Sequence, residues 1–253
     1  MKTHFFGDTT VLLGRSLRHI ARSPDTIIKT AIMPIAMMLL FVYVFGGAIN
    51  TGAVSYVNYM LPGILLITIA SGIAYTAFRL FLDMKSGIFE RFQSMPIARS
   101  SMLWAHVLTS LADSLISIVI VVLFALLIGF RSGAGVLAWL AIAGILSIFT
   151  LALTWIAVIA GLTAKSMDGA VAFSYPLIFL PLISSAFVPT GTMPGPVRVF
   201  AEYQPVTSIV NTIRSLFTQG QVGTGIWIAL AWCIGALIVA YVLAAVTYRR
   251  KIS

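Results

Sequence analysis

The sequence predicts an all-α membrane protein with six transmembrane helices. Hydrophobic residues make up 60% of the 253 residues and charged residues only 9%, whereas a soluble domain carries roughly 25% charged residues. No polar stretch is long enough to bury a core of its own, so we expect one transmembrane domain over residues 1–253. The apolar residues also gather into runs close to the ~20 residues that cross the hydrocarbon core of a bilayer.

Six apolar runs reach or approach the length of a span. The fifth is the weakest because Pro176 and Pro181 interrupt it. We interpret it as a kinked span, since neighbouring helices can satisfy the carbonyl groups that proline leaves free. The predicted spans cover about residues 26–49, 59–82, 102–130, 136–162, 170–188 and 225–246.

The distribution of basic residues predicts that both termini face the cytoplasm. Lys and Arg concentrate in the cytoplasmic loops of membrane proteins. With the N-terminus inside, the outer side receives only Arg131, Arg198 and Arg214, and the remaining 13 of the 16 basic residues fall on the inner side.

The N-terminal segment predicts an amphipathic helix that lies in the inner membrane surface. Asp8, Thr9 and Thr10 are favourable residues for a helix start. The residues that follow place an apolar face opposite a basic face, which suits contact with anionic lipid, and a solvated basic tail is the alternative. The two faces are formed by Leu13, Leu17 and Ile20, and by Arg15, Arg18 and Arg22.

A second amphipathic helix is predicted between the second and third spans, over Asp83–Ser100. Apolar residues recur there every three or four positions from Phe81 to Met95, with charged residues between them, and Pro96 ends the pattern. The aromatic and charged side chains at 89–92 suit a protein contact. A surface helix that only anchors two spans explains the spacing equally well.

On the outer side, a turn-rich stretch over 189–196 precedes two short amphipathic pieces. Arg198 and Glu202 form an i,i+4 pair, and the second piece carries an apolar stripe that opens after Pro205. Both pieces are too short to cross, so they either lie on the outer surface or dip into it as a re-entrant pair packed against protein. The stripe consists of Ile209, Val210, Ile213, Leu216 and Phe217.

Asp113 is the one acidic residue placed well inside an apolar run. An ionisable group within a membrane is a functional candidate, so we expect Asp113 either to pair with a neighbouring helix or to take part in gating or substrate contact. Arg79 is expected to reach the inner surface or to pair with Asp83 at i,i+4. His106 is expected to be a satisfied polar group and not a ligand.

The sequence offers no catalytic constellation and no metal site. Cys233 is the single cysteine, which excludes a disulfide framework and favours a packing role. The phosphate-binding Walker motif is absent, so any ATP must be bound by another polypeptide. The basic residues are scattered between apolar runs, which argues against a nucleic-acid surface.

Three stretches of the sequence, by their order and spacing around six spans, resemble the permease subunits of ABC type-2 transporters, in particular the daunorubicin-resistance (drug exporter) branch. The strongest is GIFERFQSMPIARS over 87–100, which leads into the third span. The others are YMLPGIL over 59–65, and SSAFVP over 184–189 followed by EYQPVT over 202–207. The resemblance extends from about Gly7 to Lys251.

The resemblance implies a permease that exports an amphiphilic drug or lipid-like substrate across the bacterial plasma membrane. It implies two copies of an ABC ATP-binding subunit as partners, with ATP and Mg held there and no cofactor on this chain. A second permease, identical or a sister chain, would complete the unit within membrane lipid. The 83–100 helix would be the coupling helix, and 197–217 a re-entrant hairpin near the exit. The expected contacts with the ATPase are Gly87, Ile88, Phe89, Glu90, Arg91 and Phe92.

The alternative is an ion- or proton-coupled secondary carrier that uses Asp113. No internal repeat is visible in the sequence, which counts against carriers built from inverted halves. A proton-driven pump also needs a relay of ionisable groups, and the apolar runs offer a single carboxylate.

Overall fold

The computed structural model describes residues 24–49, 55–86, 101–218 and 223–252. Within these ranges every regular element is helical, which confirms the all-α prediction. The predicted N-terminal interfacial helix and the coupling residues 87–92 lie outside the described residues. The helices are α1 Pro24–Leu39, α2 Tyr56–Lys85, α3 Ser101–Ile128, α4 Val136–Thr163, α5 Met167–Ala172, α6 Ser174–Leu182, α7 Gly195–Tyr203, α8 Pro205–Phe217 and α9 Gly225–Ile252.

Four of these helices are long and apolar enough to cross a membrane: α2, α3, α4 and α9. Each overlaps a predicted span: α3 and α4 extend beyond it by one residue each, Ser101 and Thr163, and α2 and α9 extend by three to six residues at one or both ends. Two shorter apolar helical stretches, Ala31–Phe45 and Met167–Leu182, occupy the first and fifth predicted spans. A multi-pass helical membrane protein is therefore confirmed, and the count of six spans remains a prediction.

The fifth predicted span is broken into α5 and α6 at Phe173. Pro176 explains the position of the break. Its nitrogen carries no hydrogen, so it cannot donate to the carbonyl of Ala172, which lies four residues earlier in a continuous helix. The interruption of the fifth run lies in the turn preceding Pro176, and a kinked span there remains a prediction.

Helix α2 forms the centre of the bundle. Most of its side chains are buried, including a continuous run from Met60 to Ala70. Two glycines allow close approach to it. A Cβ at Gly63 would lie 2.4 Å from Cβ of Ala186, and a Cβ at Gly161 of α4 would lie 2.9 Å from the carbonyl oxygen of Ala77.

By contrast, α9 leaves large apolar side chains such as Trp227 exposed, which suits a surface covered by lipid.

The bundle has two distinguishable ends. We call one the loop end, where α2 finishes at Lys85 and α3 begins at Ser101 on either side of residues 87–100. We call the other the hairpin end, where α8 packs beside the start of α2 and the α3–α4 turn, and α7 contacts α8. There Asn58 donates to the carbonyl oxygen of Arg131 at 2.8 Å, and the Gly133 amide donates to that of Phe217 at 3.0 Å.

Candidate functional site

One cluster of ionisable groups lies between α2 and α3, toward the loop end. Nη2 of Arg79 in α2 donates to Oδ2 of Asp113 in α3 at 2.9 Å, and the two side chains are only 24% and 18% exposed. The Arg79 guanidinium also lies 4.7 Å from the ring centroid of Tyr75. Of the two roles expected for Asp113, pairing with a neighbouring helix is therefore what the structure displays, while gating or substrate contact stays a prediction.

A second pair lies one helical turn closer to the loop end. Nε2 of His106 in α3 is 3.0 Å from Oδ2 of Asp83 in α2. His106 is thus a partnered polar group, as expected. The expectation that Arg79 would pair with Asp83 or extend to the surface was wrong, because Arg79 reaches across to Asp113 and Asp83 faces His106.

A chain of hydroxyl groups lies beside these pairs on α2 and α3 and extends to α4. Thr76 of α2 donates to Oγ of Ser110 in α3 at 2.9 Å. Ser110 is 3.3 Å from Oγ1 of Thr154 in α4, and all three residues are buried. Hydrogen bonds as well as apolar packing therefore join α2, α3 and α4.

The pairing explains how charges are tolerated at this depth. A single charge within hydrocarbon is costly, and breaking a buried pair by removing one partner costs about 3–5 kcal/mol. Nε of Arg79 and Oδ1 of Asp113 make no hydrogen bond within the described part of the chain. The pair therefore neutralises both charges while leaving one donor and one acceptor unused.

The predicted coupling residues lie outside the described residues, but the helix ends on both sides of them are described. Ser86 is three residues beyond Asp83, and Ser101 is five residues before His106. The Asp83–His106 pair thus lies near the ends of the two helices that flank residues 87–100, and the Arg79–Asp113 pair lies further from those ends along the same helices.

At the hairpin end, Arg214 of α8 joins three parts of the chain. Its Nε donates to the carbonyl oxygen of Tyr59 at 3.0 Å and its Nη2 to that of Ser185 at 2.7 Å. Its Nη1 donates to Oδ1 of Asn211 at 2.8 Å, an atom that also accepts a hydrogen bond from Ser185. The guanidinium carbon lies 3.7 Å from the centroid of the Tyr59 ring, within cation–π range.

The apolar stripe predicted in the outer segment is confirmed as the buried face of α8. Gln204, immediately before α8, also anchors the helix, because its side chain donates a hydrogen bond to the carbonyl oxygen of Ile183 at 2.7 Å. Arg198 and Glu202 of α7 form the predicted i,i+4 pair at 2.7 Å on the exposed face. Hydrogen bonding to Arg198 lowers the pKa of the Glu202 carboxyl group.

Sequence reasoning missed the role of Arg214 and treated it only as an outer basic residue. A local signal exists, since Asn211 and Arg214 are spaced i,i+3 at the edge of the apolar stripe. Its more distant partners at Tyr59 and Ser185 have no signature in the sequence.

Neither cluster has the composition of a metal or cofactor site. Among the described residues, no three His, Cys, Asp or Glu side chains are grouped so that they could hold a metal ion. What the two clusters can do is hold helices in a defined arrangement: α2 against α3 at the loop end, and α8 against α2 at the hairpin end.

The family match and the similar proteins agree on one family. Residues 8–218 match the ABC-2 type transporter family. The chain is 29% identical over 247 residues to the daunorubicin resistance ABC transporter permease protein DrrB1 of Streptomyces coeruleorubidus, with 95% of this chain and 84% of that protein covered. It is 26% identical over 252 residues to the probable doxorubicin resistance ABC transporter permease protein DrrC of Mycobacterium tuberculosis H37Rv, with 97% and 90% covered.

A third relative is less similar to the chain. The putative transport permease ycf38 of Cyanophora paradoxa is 23% identical over 221 residues, which cover 85% of this chain and 76% of that protein. The family match covers most of the chain and includes the helices that carry both polar clusters. The chain belongs to the ABC-2 type transporter family and is an ABC transporter membrane subunit.

Proposed function

We propose that this chain is the permease subunit of an exporter that is driven by ATP hydrolysis on a separate ABC subunit. The observation that carries the proposal is the family match over residues 8–218, together with the absence of a Walker motif from the sequence. ATP and Mg are then bound by the partner, and this chain supplies the pathway.

The proposed arrangement has six spans with both termini in the cytoplasm and the loop end facing the ATPase. Arg131, Arg198 and Arg214, the basic residues assigned to the outside, all lie at or next to the hairpin end, and this supports the orientation. The first span is then α1 continued by the π-helical turns Leu40–Phe45, 22 residues in all. The fifth is α5 with α6.

The working unit would contain two permeases and two ATP-binding subunits in the plasma membrane of a bacterium. The proposed coupling residues are Gly87–Phe92, which follow the end of α2 within the stretch 87–100 that connects α2 to α3. ATP binding moves this segment, and the helices attached to it rearrange to expose the substrate outward.

The proposed substrate is an amphiphilic drug or lipid-like molecule. Two of the relatives are named for resistance to daunorubicin and doxorubicin, so daunorubicin is the first substrate to test. The alternative carrier mechanism gains no support from Asp113, whose carboxylate is paired with Arg79.

Co-purification tests the partner assignment. The chain should be isolated from lipid nanodiscs together with an ABC ATP-binding subunit, with vanadate-sensitive ATP hydrolysis. Replacing Glu90 and Arg91 with alanine should reduce the amount of ATPase retained. The matched control replaces Arg198 and Glu202 with alanine, which removes the same two charges at the hairpin end and should leave binding intact. Equal retention in both variants would contradict the coupling assignment.

A further inference from the structure

The hairpin end carries more positive charge than its own carboxylates neutralise. Three arginines and one glutamate lie there, a net charge of +2, and that glutamate is already paired with Arg198. Residues 50–54 and 219–222, which adjoin helices at this end but lie outside the described residues, contain no Asp or Glu. A second copy of the chain would bring the same set of charges. Two arginines at this end, Arg131 and Arg214, therefore have no carboxylate partner among the described residues.

Arg214 is half-buried, yet its partners are all neutral. Its guanidinium donates to the carbonyl oxygens of Tyr59 and Ser185 and to the side-chain oxygen of Asn211. These acceptors satisfy its hydrogen bonds but leave its positive charge uncompensated. A charge at the edge of the hydrocarbon region without a counter-ion is costly.

Arg131 lies beside Arg214 in the fold, because consecutive residues of α2 hold the two arginines. The Asn58 side chain donates to the Arg131 carbonyl oxygen at 2.8 Å and accepts from the Arg131 amide at 3.1 Å. Tyr59, the next residue, accepts from Arg214. The two positive charges thus belong to neighbouring segments at the first turn of α2.

The exposed Arg131 side chain has donors to spare. Its Nη1 donates to the carbonyl oxygens of Leu126 and Phe130 at the end of α3, at 3.1 and 2.9 Å. Its Nε and Nη2 make no hydrogen bond with any described residue. An arginine with two free nitrogens on one edge of its guanidinium can accept a bidentate anion.

An exposed aromatic residue places this end at the headgroup layer of the bilayer. A Cβ at Gly225 would lie 3.7 Å from Oγ1 of Thr212, so the first turn of α9 lies beside the helix that carries Arg214. Trp227 in that turn is 71% exposed. Tryptophan is enriched where the hydrocarbon core meets the lipid headgroups. We therefore expect the two arginines at the depth of the lipid phosphates.

We propose that Arg131 and Arg214 form a binding site for the phosphate of an anionic phospholipid in the leaflet at the hairpin end. Arg131 supplies the free pair of donors, and Arg214 supplies a second positive charge that its neutral partners hold in place. The site goes beyond the proposed function and does not depend on transport. Only its assignment to the outer leaflet rests on the proposed orientation of the chain.

A phospholipid phosphate fits this arrangement for two reasons. Guanidinium groups bind phosphate through parallel, charge-assisted hydrogen bonds. Two uncompensated positive charges also favour a lipid with a net negative charge over a zwitterionic lipid, because the same arginines repel the ammonium group of the zwitterion.

Lipid binding to the purified full chain in detergent tests the site. Native mass spectrometry, with phosphatidylglycerol or phosphatidylcholine of the same acyl chains added, measures the dissociation constant of each lipid. Phosphatidylcholine should bind about tenfold more weakly than phosphatidylglycerol, because it lacks the net negative charge. Arg131→Gln should raise the dissociation constant for phosphatidylglycerol by about tenfold, since it removes a charge-assisted hydrogen bond. Equal affinity of the native chain for the two lipids would overturn the proposal without any variant.

Two control variants separate the site from general charge and from folding. Arg198→Gln removes one positive charge from the same end, but from a side chain paired with Glu202, and should change the dissociation constant by less than about twofold because solvent and salt screen that charge. Arg131→Lys loses the guanidinium that caps α3, as Arg131→Gln does, but keeps the charge, so it should bind within about threefold of the native chain. Equal weakening by Arg131→Gln and by either control variant would overturn the site.

A soluble phosphate ester distinguishes the source of the phosphate. Glycerol phosphate carries the same phosphate without acyl chains, and it should not displace bound phosphatidylglycerol. Displacement at concentrations comparable to that of the lipid would assign the site to a soluble phosphate ester and overturn the lipid proposal. These measurements need neither ATP nor transport, so failure of the proposed function would leave them unchanged.

Discussion

Arg214→Lys should loosen the hairpin end measurably although it keeps the positive charge. Arginine makes three hydrogen bonds there, to Tyr59, Ser185 and Asn211, in the planar fork geometry that lysine lacks. A lysine ammonium group at the end of a flexible stem cannot satisfy all three acceptors in these directions. It also loses the flat stacking of the guanidinium on the Tyr59 ring.

The expected magnitude follows from the hydrogen bonds and the ring stacking that lysine cannot reproduce. A hydrogen bond to a charged group contributes about 1.5–3 kcal/mol, and a partly buried cation–π contact contributes about 1 kcal/mol. If lysine keeps one strong hydrogen bond and its charge, the unfolding free energy should fall by about 2–4 kcal/mol, since deletions within one network are not additive. Arg214→Ala should cost more, because it leaves the Ser185 carbonyl without this donor.

The assay is reversible unfolding in dodecyl maltoside micelles titrated with SDS, followed by tryptophan fluorescence. Arg198→Lys is the matched control, because it makes the same substitution in the same hairpin at a side chain that is 51% exposed and paired only with Glu202. It should behave as the native protein does, as exposed ion pairs contribute little. Equal destabilisation by the two lysine variants, or none by either, would refute the idea that the arginine fork holds the hairpin.

Two glycine substitutions test the packing of the bundle and the end of α3 by the same assay. Gly161→Ala should lower the unfolding free energy by about 1–3 kcal/mol through overpacking against the Ala77 carbonyl, whereas Gly144→Ala in the same helix meets open space and should not. Gly129→Ala should cost about 1–2 kcal/mol because Gly129 closes α3 at φ 111°, whereas Gly135→Ala, where φ is −75°, should be tolerated. Equal effects of Gly161→Ala and Gly144→Ala on the unfolding free energy would contradict the close contact at Gly161. Equal effects of Gly129→Ala and Gly135→Ala would contradict the need for a positive φ at Gly129.

The elements that the sequence predicts best are those set by local composition. Run length alone located α2, α3, α4 and α9, because a span must be apolar over its whole length whatever its neighbours are. Helical periodicity identified the buried face of α8 for a similar reason. Pro176 signalled the interruption of the fifth run.

The contacts that position the polar clusters were less predictable. Arg79 has an acidic residue at i+4, so local spacing favoured Asp83, but the choice of partner depends on how α2 and α3 are rotated about their axes. Local spacing does not record that rotation, which depends on contacts between helices such as the close approach of α4 to α2 at Gly161. Arg214 and Tyr59 are 155 residues apart, and no local pattern records such a contact. The assignment of 87–92 to an ATPase contact stays a prediction.

Transport through this chain should be driven by ATP hydrolysis on a partner subunit, and vesicle transport measures this most directly. Inside-out vesicles that contain the chain and its ATP-binding subunit should accumulate daunorubicin when ATP is added. Accumulation should persist in the presence of a protonophore and vanish when the catalytic Walker lysine of the partner is replaced. Uptake that needs no ATP-binding subunit and collapses with the proton gradient would contradict the proposed mechanism.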